Sequence, residues 1–166
     1  NNNLEEEMKN TREIVSIALR ERDVLKIPLK QPLSKMILYG YKISKEHEKI
    51  ILEEMNVKKI ELKEGDKKIE LDTQITSDLE AEGFAREILR LIQAARKKAN
   101  LVKEDLIELQ ILFDNDNKKL VSDFILGEQK RVGAKNIYFD KIDRKFSFAE
   151  ENNIKNNKCF ISFDKI

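Results

Sequence analysis

Arg86, Arg90, Gln93 and Lys97 are spaced four, three and four residues apart. At about 100° per residue they fall within about 60° of one helix circumference. Their mean direction is roughly opposite an apolar stripe centred on Ala81, Ile88 and Ala95. Three cations and an amide on one ridge suit a polynucleotide backbone, where Arg and Lys take phosphate and Gln takes a sugar or base edge. Arg96 and Lys98 flank the ridge, so residues 86–98 carry five basic side chains against one acid, Glu87. The competing reading is a solvated helix face, because Asp78, Glu80 and Glu82 in the first turns dilute the field. Lys30-Gln31-Pro32-Leu33 is a second candidate, a polar segment that proline keeps out of helix. Its competing reading is an edge strand protected by proline and lysine.

Other chemistry is scarce. His47 is the only histidine and Cys159 the only cysteine, so no local nucleophile–base pattern exists and no four-ligand zinc site can be built. The five glycines form no phosphate-binding loop. His47 reads as a surface or half-buried helix residue, and Cys159 as a small apolar strand residue. No catalytic residue, metal or cofactor is expected on this chain. Its 32 cations and 31 anions nearly cancel, although charged residues reach 38% of the 166. That balance excludes a polybasic tail and an acidic disordered segment. No apolar run approaches the ~18 residues of a membrane span, and no signal pattern opens the chain. A soluble, intracellular globular protein is expected, long enough for a real core.

The elements that must position these residues follow from periodicity. Residues 4–22 predict a helix with Leu4, Met8, Thr11, Val15, Ala18 and Leu19 on its apolar side. A Pro-bracketed extended stretch then runs into a short strand at 36–39, which Gly40 breaks. Ser44 caps a helix over about 45–56, with Ile50, Ile51 and Met55 inward. Val57–Lys63 and Lys67–Asp72 alternate with period two about Gly65-Asp66, which predicts a β-hairpin. Thr76 or Ser77 starts the long helix, 78–99, and Asn100 stops it. A strand at 106–113, a helix at 118–131 with Leu120, Val121, Phe124 and Ile125 inward, and strands at 135–141, 145–149 and 158–163 complete the chain. Asn152, Asn153, Asn156 and Asn157 mark a loop before the last strand. No internal repeat is visible. The class is α+β, with helices alternating with short, mainly antiparallel strands.

Three segments together resemble one family. They are Lys30-Gln31-Pro32-Leu33, Glu54-Met55-Asn56-Val57-Lys58, and Leu79-Glu80-Ala81-Glu82-Gly83-Phe84-Ala85-Arg86-Glu87 with the basic helix that follows. Their order and content are similar to the C-terminal region of isoleucyl-tRNA synthetase of the archaeal and eukaryotic type, over roughly residues 8–113. That family is a class I aminoacyl-tRNA synthetase: it activates isoleucine with ATP and charges its tRNA. The resemblance implies that residues 1–60 join the anticodon-binding region, that 61–75 form a hairpin and linker, and that 76–166 form a C-terminal α+β subdomain. It implies RNA contacts at Arg86, Arg90, Gln93, Arg96, Lys97, Lys98, Lys30 and Gln31, with tRNA(Ile) and the synthetase body as partners in the cytoplasm. The family's His-Ile-Gly-His and Lys-Met-Ser-Lys-Ser motifs are absent, so the chain is expected to be a fragment without the ATP and Mg site of the full synthetase. A module that braces the synthetase body, or a free-standing paralogue, is the alternative. The family's longer insert between its second and third motifs is also missing, and so is the bacterial zinc module.

Overall fold

The computed structural model describes residues 2–166, with side chains from Leu4 onward. The chain divides between Glu80 and Ala81 into two compact units. The first holds α1 (Asn2–Val24), β1 (Met36–Tyr39), α2 (Lys45–Met55), β2 (Ile60–Lys63) and β3 (Lys68–Leu71). Next comes α3 (Ser77–Lys98), most of which belongs to the second unit, with β4 (Ile107–Phe113), α4 (Lys118–Gly127), β5 (Ala134–Tyr138), β6 (Phe148–Ile154) and β7 (Asn157–Lys165). This is an α+β fold. Three of its strand pairings are antiparallel, and β1–β2 and β4–β5 are parallel.

The expected hairpin at 57–72 does not form. The first sheet has the order β2-β1-β3, with β1 parallel to β2 and antiparallel to β3. Met36 and Leu38 of β1 are fully buried, whereas β2 and β3 each carry exposed positions. The apolar strand therefore takes the centre, and the half-polar strands take the edges, where charged side chains also discourage further pairing. The 64–67 connection has to pass over the end of β1. Gly40 makes room for it: its φ is +68°, and a Cβ there would lie 2.4 Å from the Gly65 carbonyl oxygen.

The first core is built on Ile14, Ala18, Met36, Leu38, Ile51 and Met55. α1 is rotated somewhat from its expected face: Thr11 and Ala18 are buried as expected, but Ile14 and Arg22 join them, while Leu4, Met8 and Leu19 are exposed. On α2, Ile51 and Met55 are buried, but Ile50 is exposed and His47 takes an inward place. Ser44 caps the helix as expected, accepting from the His47 N–H at 3.5 Å. The second sheet has the order β5-β4-β7-β6. β4 is buried along nearly its whole length and packs under α3 residues Phe84, Ile88 and Ile92. α4 is shorter than expected and leaves Phe124 exposed, with Val121 and Ile125 inward. Asn152 and Asn153 lie within β6. The tight turn is Lys155-Asn156, both at positive φ, the conformation a two-residue hairpin loop demands.

The two units repeat one another, contrary to the sequence reading. In each, a long helix leads to a central strand, then a helix, then a parallel neighbour on one side, with an antiparallel strand on the other. The correspondence extends to single bonds. Arg22, near the end of α1, donates to the carbonyls six and nine residues later, those of Pro28 and Gln31. Arg96, near the end of α3, does the same to Val102 and Asp105. Both helices stop at a left-handed residue, Lys26 and Asn100. Leu33 N–H donates to the Asn56 carbonyl and Ile107 N–H to that of Gly133, again at left-handed residues. Arg22, Lys26, Pro28, Gln31 and Leu33 match Arg96, Asn100, Val102, Asp105 and Ile107 at one constant sequence offset. Arg12-Glu13-Ile14 and Arg86-Glu87-Ile88 match at the same offset.

Candidate nucleic-acid interface

α3 starts at Thr76, whose Oγ1 accepts from the Leu79 N–H at 3.3 Å. It ends at Asn100, in a left-handed turn that satisfies the Arg96 and Lys97 carbonyls. Its apolar face is fixed on the second core. Arg86, Arg90, Gln93 and Lys97 are therefore turned outward, and all four are exposed as the spacing predicts.

Their electrostatics are not uniform. Glu82 Oε1 accepts from Arg86 Nε and Nη2 at 3.1 and 2.9 Å. Glu87 Oε1 accepts from Arg90 Nε and Nη2 at 3.1 and 2.6 Å, a bond that holds the Arg90 guanidinium pKa above its ordinary value. Gln93 donates its amide to the Arg131 carbonyl at 3.0 Å. The N-terminal half of the ridge is thus largely compensated. Toward the C-terminal end, Lys97 lines a notch of about 320 Å³ with Gln93, Arg96, Lys103 and Arg131. Lys103 lies in the α3–β4 loop and Arg131 follows α4. Neither shares a helix face with the ridge, so no periodicity could have found them.

Two of the residues expected at the RNA surface, Arg96 and Gln31, are buried. Arg96 is only 5% exposed. Its Nη2 donates to the Val102 and Asp105 carbonyls at 2.7 and 2.9 Å, which fixes the loop after α3. Gln31 is buried, and its amide donates to the Pro32 and Leu79 carbonyls at 3.1 and 2.7 Å. Residues 28–31 form a turn rather than an extended edge, with Gln31 N–H donating to the Pro28 carbonyl. Lys30 is exposed on that turn. Lys98 is exposed and ion-paired with Glu150.

His47 is buried, with Nδ1 2.8 Å from Ser44 Oγ and 3.0 Å from Glu7 Oε2, and Nε2 3.2 Å from Met8 Sδ. Cys159 is buried in β7, and burial pushes its thiol up to about 12. Among the described residues, no group of three or more His, Cys, Asp and Glu side chains is placed to hold a metal ion. Among the described residues, no helix is long and apolar enough to cross a membrane.

No protein-family model matches the chain. Individual proteins do. The isoleucine–tRNA ligase of Rickettsia typhi is 38% identical over 87 residues, which is 51% of this chain and 8% of that protein. That of Leifsonia xyli is 53% identical over 47 residues, 28% of this chain and 4% of that protein. That of Methanocaldococcus jannaschii is 34% identical over 95 residues, 57% of this chain and 9% of that protein. The chain is related in sequence to isoleucine–tRNA ligases. It matches under a tenth of the length of each of these three ligases.

Proposed function

We propose that the chain is the C-terminal tRNA-binding region of an isoleucine–tRNA ligase. In this reading it holds the anticodon end of tRNA(Ile) and assists charging without carrying the active site. Its partners are the tRNA and the remainder of the synthetase, in the cytoplasm; ATP and Mg serve the catalytic body. The observation that carries the reading is the exposed line Arg86, Arg90, Gln93 and Lys97 on a chain related to these ligases.

Binding of this kind is electrostatic. The logarithm of affinity falls with the logarithm of salt at about 0.7–0.9 per neutralised phosphate. Filter binding of tRNA(Ile) across a salt series tests it. Arg86→Glu/Arg90→Glu is expected to lower affinity and flatten the salt dependence by roughly 1–2 phosphate equivalents. Unchanged binding by a double variant that keeps its circular dichroism spectrum would remove the ridge from the interface. The ion pairs at Arg86 and Arg90 favour a second reading, a module that braces the synthetase body. Charging activity lost by the double variant in the full synthetase, with tRNA affinity intact, would select it.

A further inference from the structure

The repeat supplies an internal control for the notch at the end of α3. Arg22 and Arg96 do the same structural work, and each leaves one guanidinium nitrogen buried without a partner, Nε in Arg22 and Nη1 in Arg96. Arg22 spreads both terminal nitrogens over four carbonyls: Nη1 on Pro28 and Gln31, Nη2 on Met55 at 2.7 Å and Asn56 at 3.3 Å. Arg96 places only Nη2. Its Nη1 is buried without a hydrogen-bond partner. Gly133, the counterpart of Asn56, lies against it: a Cβ there would be 2.9 Å from Nη1. A buried guanidinium donor left unmade is costly, and both units carry that cost.

The surrounding side chains differ between the units. Gln93, Lys97, Lys103 and Arg131 line the notch. At the corresponding positions the first unit has Leu19, Asp23, Leu29 and Glu54. The shared fold therefore does not require cations here, since one copy manages with leucines and acids. No acidic side chain lines the notch. Asp105 is engaged with the Val102 N–H and Lys165, and Glu128 pairs with Arg131 of the rim at 3.3 Å, which leaves Lys97 and Lys103 as the rim's uncompensated charges. The Arg96 and Lys97 carbonyls at the end of α3 accept from the Leu101 and Asn100 N–H groups, so neither points bare into the notch.

We propose that this notch seats one phosphate group of a polynucleotide backbone, with Lys97, Lys103 and Arg131 as the charged rim and the buried Arg96 adding positive charge beneath it. The inference deepens the RNA-binding reading above and rests on it. It also moves the centre of binding from the middle of α3 to its end, onto two loop residues.

The experiment uses the 166-residue chain and two probes, inorganic phosphate and tRNA(Ile). The variant Lys103→Leu/Arg131→Glu installs the first unit's residues, which that copy of the fold already accommodates. Amide NMR with inorganic phosphate should shift Lys97, Val102, Lys103 and Arg131 in the wild type. The variant should weaken those shifts at least fivefold. The salt dependence of tRNA binding should flatten by about one phosphate in the variant. Phosphate shifts that lie elsewhere, or that survive the variant, overturn the notch; if Arg86→Glu/Arg90→Glu still weakens tRNA binding, the RNA reading stands without it. Phosphate seated in the notch together with tRNA binding that ignores the variant overturns the assignment to a polynucleotide. Phosphate seated in the notch of a chain that binds no tRNA fails the RNA reading itself and takes the polynucleotide assignment with it.

Discussion

Glu82 Oε1 bonds both Nε and Nη2 of Arg86, one turn apart on α3. The pair is partly buried, with the Glu82 side chain 10% exposed, so the carboxylate stays with its arginine. A cation already compensated in this way adds less to the attraction of a polyanion than one that is not. Lys97→Gln is therefore expected to flatten the salt dependence of tRNA binding by about one phosphate, and Arg86→Gln by less than half of that. Equal effects in salt-series filter binding would mean that the ridge acts as uniform charge.

Arg22 is the first unit's central clamp. It is 1% exposed, and it ties the end of α1 to the loop that enters β1 and to the end of α2. Leucine in its place leaves four carbonyls without their donor. Arg22→Leu should destabilise the chain by about 3–5 kcal/mol. Arg22→Lys should recover only part, because an ammonium lacks the planar fork that reaches both sides. Urea denaturation followed by circular dichroism decides; a midpoint within error of wild type for Arg22→Leu would refute the clamp.

Asp164 gives the second unit an acid sensitivity. The Ser147 N–H donates to it at 2.7 Å and the Arg144 guanidinium at 2.8 and 3.1 Å. These contacts, Ser147 first, hold its carboxyl below the ordinary range. A depressed carboxylate contributes stability above its unfolded value, near 3.9, and loses that contribution as the pH falls through its lower folded value. Asp164→Asn should therefore be less stable than wild type at neutral pH, and the gap should close in acid. Urea midpoints from neutral pH downward measure it; a gap that stays constant would show that the charge is not responsible.

Cys159 should be inert. Its thiol is buried in the second core and its pKa is raised to about 12, so almost no thiolate is present at neutral or mildly alkaline pH. Labelling with a disulfide reagent should be slower in the folded chain than in denaturant by roughly 10³-fold or more. Comparable rates would mean that β7 opens readily.

Much of this was legible in advance, for identifiable reasons. The α3 face could be read because a 22-residue helix samples its period several times over, so Ala81, Ile88 and Ala95 leave little freedom for Arg86, Arg90 and Lys97. Ser44, Thr76 and Asn100 could be read as helix ends because capping depends on side chains adjacent in sequence. The hairpin at 57–72 misled because alternation reports a half-buried strand and not its neighbour. β1, four residues long and distant in sequence, takes the place between β2 and β3. Arg96 and Gln31 misled because a polar side chain in a helix or turn reads as exposed, whereas here each finds carbonyls to satisfy and is buried with them.

The sequence alone determined the α+β class, the outward line on α3 and the relationship to isoleucine–tRNA ligases. All of these rest on local periodicity or on residues compared one by one. Tertiary structure alone decided the order of both sheets, the repetition of one bonding scheme in the two units, and the gathering of Lys97, Lys103 and Arg131 about a buried arginine. Those depend on which carbonyl a distant donor reaches. Backbone acceptors carry no residue identity, so a repeat built on them leaves little trace beyond two arginines and a shared Arg-Glu-Ile.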